Sequence, residues 1–301
     1  VAMMWLLYRM TDSPFLLGML GFVAQLPILL LAPMTGVLAD RWPLRRVLVI
    51  TQICALVQAL VLAVLTLTGV VGAWHLLALS ALLGAINAFD MPARQAFVPQ
   101  TVERPEDLGN AIALNSFLMN GARLLGPALA GLLVRAIGEG PCFLLNALSY
   151  VAVIIALLAM HVAPHAATGK SRSLGRDFRE GVAYAWGFPP IRDILGLLGL
   201  SSLMGLSYGT LMPVFARDVF GGGVQYFGFL LGASGLGALV GTAYLASRRS
   251  VVGLGRVIAF GAGLFGVSIV AFAMTRTFAA ALPLLLLAGL GMMLQIASSN
   301  T

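Results

Sequence analysis

The sequence predicts an all-α integral membrane protein that crosses the bilayer about ten times, as 301 residues allow at roughly 20 residues per crossing plus short loops. Three observations predict it. Of those residues 60% are hydrophobic and 10% charged, against roughly 45–50% and about 25% in soluble domains. The apolar residues form long runs such as "LVQALVLAVLTLTGVV" that are apolar all round; a β-barrel would alternate apolar and polar positions in segments of about ten residues. The charges gather in the breaks between runs, above all in "GVLADRWPLRRV".

Hydropathy and charge breaks together set the elements. A stub covers 1–8, and spans follow at 15–38, 47–71, 74–89, 109–134 and 141–162. Arg41, Arg45 and Arg46 separate the second from the third, and Asp90 and Arg94 close the fourth. Pro105, Glu106 and Asp107 suit the first turn of the fifth, where free N–H groups and the helix dipole favour proline and acids. After a polar stretch the series resumes at 191–215, 225–246, 257–274 and 278–299. The chain starts inside an apolar run and stops without a tail, so it reads as a fragment cut within its first helix and near its tenth.

Lys and Arg accumulate in cytoplasmic loops. With the stub as helix 1, the loops after helices 2, 4, 6 and 8 hold thirteen of them, from Arg41 to Arg256; the opposite loops hold Arg9, Arg135, Arg217 and Arg276. The even-numbered loops are therefore cytoplasmic, and the net charge of +7 is a topology signal and an attraction to anionic headgroups rather than a nucleic-acid footprint. Cys54 and Cys142 form no disulfide framework or metal spacing. His75, His161 and His165 stand singly at segment ends and read as interface residues.

The polar stretch divides the chain into an amino-terminal bundle, 1–162, a cytoplasmic linker, 163–190, and an incomplete carboxy-terminal bundle, 191–301. The second half of the linker suits an amphipathic helix, with Leu174, Phe178, Val182 and Trp186 near one face. The stretch from Gly241, "GTAYLASRRSVVGLGRV", falls at the same place in helix order as "GVLADRWPLRRV", which points to an internal repeat with a mid-membrane cavity between two rocking bundles.

With Gly36, Leu38, Ala39, Asp40, Arg41 and Arg45 in place, "GVLADRWPLRRV" resembles the signature of the major facilitator superfamily between its second and third helices; Pro43 and Leu44 depart from it. "YRMTDSPFLLG", "FDMPARQAFVPQ", "NAIALNSFLMNGARLLGPALAGLL", "CFLLNALSY" and "LMPVFARDVFG" are similar to the bacterial efflux subgroup that includes the enterobactin exporter. The resemblance implies two pseudo-symmetric six-helix bundles, here truncated to about ten helices. It also implies a monomeric, multi-pass permease of the bacterial inner membrane.

Within that resemblance, Gly36, Asp40, Arg41, Arg45, Arg46, Asp90 and Arg94 are the candidate gate, with the arginines bridging to Asp90 when the cytoplasmic side is closed. The plain alternative is a positive-inside loop. Arg123 is the only basic residue well inside a span, where a charge costs about 2.5–3.5 kcal/mol and faces a cavity or partner; it is a candidate for contact with an anionic substrate or for a structural pair. Ala122, Gly126 and Ala130 lie four apart as a small-residue stripe, and Pro127 would bend its helix. Gly228 and Gly232, then Gly237 and Gly241, answer in the eighth helix. No phosphate loop or zinc-protease motif is present, and no cofactor or metal site is expected. The expected function is secondary active export of a siderophore or drug-like molecule in exchange for protons by alternating access. A lysophospholipid flippase of the same fold is the alternative, followed by a non-transport membrane enzyme or scaffold.

Overall fold

Apolar runs of this length satisfy their backbone groups internally as helices, and helices are what forms. The computed structural model describes residues 1–102, 104–160, 186–201, 208–247 and 253–299; the side chains at 32–41, 105, 108, 112–113, 116, 120, 189–191, 198 and 201 also fall outside the description. The helices are α1 (Ala2–Thr11), α2 (Pro14–Arg41), α3 (Leu44–Leu67), α4 (Ala73–Phe97), α5 (Leu108–Ile137) and α6 (Glu139–Ala159). They continue with α7 (Pro189–Ser201), α8 (Tyr208–Val214), α9 (Val224–Ser247), α10 (Leu254–Met274) and α11 (Phe278–Ser299). Among the described residues eight helices are long and apolar enough to span a membrane, and there is no strand. Most of the expected linker helix, including Leu174, Phe178 and Val182, lies outside the described residues.

Several boundaries differ from expectation, each for a local reason. The arginine-rich stretch is mostly helix rather than loop: α2 runs through Arg41 and α3 begins at Leu44. Pro43, which has no N–H with which to continue a helix, sits extended at φ −64° and ψ 109°, and its carbonyl accepts from the amides of Arg46 and Val47 at 2.8 and 3.2 Å. The fourth span does not stop at Phe89 but continues through Asp90 and Pro92 to Phe97, because the carboxylate finds donors on α3 as well as on its own helix. The seventh span appears as α7 and α8, with residues 202–207 outside the description, and ends in a π turn at Phe215–Val219.

By packing, the chain divides into two units: Ala2–Ser116 with Ile137–Glu180, and Val1, Phe117–Ala136 with Gly181–Thr301. In the first, α4 packs against both α2 and α3, and α3 also against α6. Gly84 lies directly on the Ala24 carbonyl, a distance no side chain allows. Gln58 and Ser80 spend their polar atoms across these seams, on the carbonyls of Leu79 and Leu20. Lipid tails are as apolar as leucine, so such close approaches and interhelical hydrogen bonds supply the association that hydrophobicity cannot. In the second unit α11 lies between α9 and α10: Gly237 and Gly241 face Leu286, Leu290 and Met293, while Gly261 and Gly291 of α10 and α11 lie against each other.

Candidate functional site

The arginine-rich connection between α2 and α3 meets the end of α4 within the first unit. Asp90 is 8% exposed, and every lone-pair direction of its carboxylate that can be served is served. One oxygen accepts from Thr51 Oγ1 and Gln52 Nε2 of α3, both at 2.8 Å. The other accepts from Arg94 Nε at 3.1 Å and Nη2 at 2.9 Å, one turn along α4. Arg94 keeps its head toward the surface while Asp90 stays buried, so the pair sits across the boundary between apolar core and water. Beneath it Leu44, Val47, Leu48, Ala93, Phe97 and Leu157 form an apolar cluster that holds the two helix ends in register.

Thr51 gives this site its chemical range. Its hydroxyl lies 2.8 Å from Asp90 and 2.9 Å from its own helix's Leu48 carbonyl. With one hydroxyl proton, it donates to the carboxylate when Asp90 is charged. When Asp90 carries a proton, the acid can donate to Thr51 and the hydroxyl can turn to Leu48. Both protonation states are therefore hydrogen-bonded without moving a helix.

The candidate gate residues separate in the structure. Asp90 and Arg94 pair with each other one turn apart on α4, a contact that was not among the expected bridges. Arg45 does not bridge to Asp90: its Nε donates to the Leu157 carbonyl at 2.7 Å and its Nη2 to that of Leu158. These are among the last carbonyls of α6, which lack helical partners and carry the negative end of the dipole, so a guanidinium is stabilised there by about 0.3–1 kcal/mol. Arg46 is exposed. The side chains of Gly36, Asp40 and Arg41 lie outside the described residues.

At the other end of α6, Glu139 is buried and pairs with Arg9 Nη2 at 3.3 Å, tying α1 to the first turn of α6. Sequence reasoning counted Arg9 only as a loop charge and passed over Glu139, Thr51 and Gln52. An acid paired with a distant arginine leaves no local pattern, although an isolated Glu at the start of an apolar span was a signal that a partner had to exist.

The small-residue stripes are corrected by one helical face. A Cβ at Gly126 would meet nothing within 4 Å, so it is not a packing glycine. The face of α5 turned to α9 carries Leu124, Pro127, Ala128 and Gly131 instead: Gly228 meets the Pro127 carbonyl and Gly131, Gly232 meets Ala128, and Gly235 meets the Arg123 carbonyl. At about 100° per residue, Gly126 lies roughly opposite that face. Gly237 and Gly241 lie against Leu286, Leu290 and Met293 of α11 rather than against α5. Arg123 is exposed, and among the described residues its guanidinium has no partner. Also unforeseen is Tyr208, whose hydroxyl lies 2.8 Å from Ser234 Oγ and whose ring meets Phe265 edge-on at 6.1 Å.

Comparison with known proteins places these features in context. A family model described as "Transmembrane secretion effector" matches residues 1–301. The chain is 25% identical over 283 residues to the staphyloferrin A transporter of Staphylococcus aureus, covering 89% of this chain and 68% of that protein. It is 24% identical over 254 residues to the uncharacterized MFS-type transporter YfiS of Bacillus subtilis, covering 81% and 58%. With the multidrug efflux pump Tap of Mycolicibacterium fortuitum it shares 24% identity over 250 residues, covering 80% and 60%. The chain thus spans about two thirds of the first of these relatives and less than two thirds of the other two.

Proposed function

The chain belongs to the transmembrane secretion effector family of the major facilitator superfamily, and from that premise we propose that it serves a secondary active exporter which moves a small organic molecule outward in exchange for protons. The family is one of transporters rather than enzymes, and the apolar helices make the chain a multi-pass membrane protein. In this reading its membrane is the bacterial inner membrane, and the moving halves are residues 1–162 and 191–301 joined by 163–190. The glycine contact between α5 and α9 is the seam. Gly36, Asp40, Arg41, Arg45, Arg46, Asp90 and Arg94 work the cytoplasmic gate, which closes by polar contacts and opens by exchanging them for water.

One observation supports the proton part: the Thr51 hydroxyl lies within hydrogen-bond distance of both Asp90 and the Leu48 carbonyl, so it can donate to a charged carboxylate or accept from a neutral one. A group that loads and unloads a proton without being left unsatisfied is what gradient coupling needs, and it sits at the gate. The printed names of the relatives, a siderophore transporter and a drug efflux pump, support a siderophore or drug-like cargo. Arg123, a cation without a partner among the described residues, fits an anionic one.

Everted membrane vesicles made acid inside, so that protons leave as cargo enters, test this with a panel of anionic siderophores and cationic dyes. The expected result is uptake of at least one panel member that an uncoupler abolishes, and Arg123→Ala should weaken uptake of an anionic member while abundance stays near wild type. Uptake that persists when the gradient is collapsed would overturn proton exchange.

A further inference from the structure

We propose that the groove between α3 and α4 at the arginine-rich end holds one acyl chain of an anionic phospholipid from the adjacent leaflet, with Arg46 receiving the headgroup. The groove encloses about 340 Å³. Trp42, Ile50, Thr51 and Cys54 line it from the α3 side, Ala85 and Phe89 from α4. Apart from the Trp42 indole at its mouth and the weakly polar Cys54 thiol, Thr51 carries the one polar side chain among the described lining residues, and that hydroxyl is already turned to Asp90 or the Leu48 carbonyl. An aqueous solute would find nothing there to bond with, whereas a hydrocarbon chain needs nothing.

Three features select a lipid. Beyond Arg46 the exposed positions of α3 are Ile50, Ile53, Cys54, Val57, Leu60, Val61, Val64 and Leu67, all apolar. A face bordering a water-filled pathway would mix in polar residues, so this one borders hydrocarbon. The groove also has about the depth of one leaflet: the advance along α3 from Leu44, just after Trp42, to Cys54 rises about 15 Å, beside roughly 15 Å for half a hydrocarbon core. Its mouth carries the residues that membranes place at the headgroup level, an exposed Trp42 and an exposed Arg46 one turn before Ile50. Arg45 is engaged with α6, whereas Arg46 has no partner among the described residues and is left to an anion. Lipid in the groove would also keep water from the α3 side of Asp90, whatever solute is transported.

Native mass spectrometry of the transporter purified from its membrane, offered phosphatidylglycerol and phosphatidylcholine with identical chains at equal concentration, tests the assignment. Wild type should retain phosphatidylglycerol roughly fivefold better, the effect of one basic residue near the headgroups. Arg46→Gln should bring the two lipids to parity, while Ala85→Phe or Cys54→Phe should remove one bound lipid of either kind. Equal retention by wild type overturns the headgroup assignment, and unchanged lipid counts in a folded groove-filling variant overturn the groove. Cys54 is exposed, so Cys54→Phe decides the matter if Ala85→Phe does not fold.

Discussion

The three helices α2, α3 and α4 of the first unit and α9, α10 and α11 of the second are two versions of one packing scheme with different chemistry in their cores. The buried positions Thr51, Ala55, Gln58 and Leu62 of α3 recur in spacing as Gly261, Phe265, Ser268 and Phe272 of α10. Leu76, Ser80, Gly84, Ile86, Asp90 and Ala93 of α4 recur as Ala281, Leu285, Gly289, Gly291, Gln295 and Ser298 of α11. The anchor is the same in both: Gly84 rests on the Ala24 carbonyl of α2, and Gly289 on that of Ser234 of α9. In this register the counterpart of Asp90 is Gln295, a neutral residue that is 1% exposed. The counterpart of Thr51 is Gly261, which closes directly on the Gln295 backbone. The scaffold therefore needs the glycine contact but not the charge. Among the described residues the first unit joins a carboxylate, a hydroxyl and an arginine at this position, where the second has Gln295 and Gly261.

The largest effects should come from the shared anchor. Gly84→Leu and Gly289→Leu each place a side chain against backbone that cannot yield, at or beyond the upper end of the roughly 1–3 kcal/mol of overpacking. Both should reduce detergent-stable protein about tenfold or more in fluorescence-detected size exclusion. Gly126→Leu, with open space, should match wild type; equal losses in all three would break the account of close approach.

Next in size are substitutions of Asp90, where the two units differ. Asp90→Leu strands the Gln52 amide and should lower stability by about 1–3 kcal/mol, read as a fall in Tm. Asp90→Gln copies the second unit's chemistry into the first. It should keep abundance within about twofold while gradient-driven transport falls about tenfold or more, the effect of losing a charge-assisted bond. Normal transport in Asp90→Gln would show that the difference between the units is decorative.

Smaller still is the effect expected of the α6 end. Arg45→Met keeps the apolar stem but removes the donors to Leu157 and Leu158, and about 0.3–1 kcal/mol should be lost. Tm should drop by a few degrees at most, with transport nearly intact if Arg45 only caps the helix. A transport loss as deep as that of Asp90→Gln would show that Arg45 works the gate as well as capping α6.

Much of the fold is legible without coordinates because the bilayer imposes length and charge rules residue by residue. The spans around 47–71, 257–274 and 278–299 match α3, α10 and α11 closely, and the turn at Gly72 reads correctly as a break before α4. The site is only half legible. Asp90 and Arg94 lie one turn apart on one helix, so their pairing follows from spacing alone. Thr51 and Gln52 are unremarkable polar residues in an apolar run, and nothing local reveals that they meet a carboxylate 38 and 39 positions away.

The order of residues sets which segments are apolar enough to cross a membrane, that they are helical, and which ends carry the positive charge. Each follows from rules that act along the chain: apolar length, backbone hydrogen-bond closure and Lys/Arg bias. Packing alone settles which face of α5 meets α9, that Gly131 rather than Gly126 lies in the contact, that Arg45 donates to α6 rather than to Asp90, and that Gly237 of α9 lies against α11. The physical reason is the same in every case. In a soluble helix the polar stripe betrays the outward face, but here lipid and protein neighbours are both apolar, so periodicity is silent about orientation. Contact is chosen by the fit of small residues and a few hydrogen bonds between chains of atoms far apart in sequence.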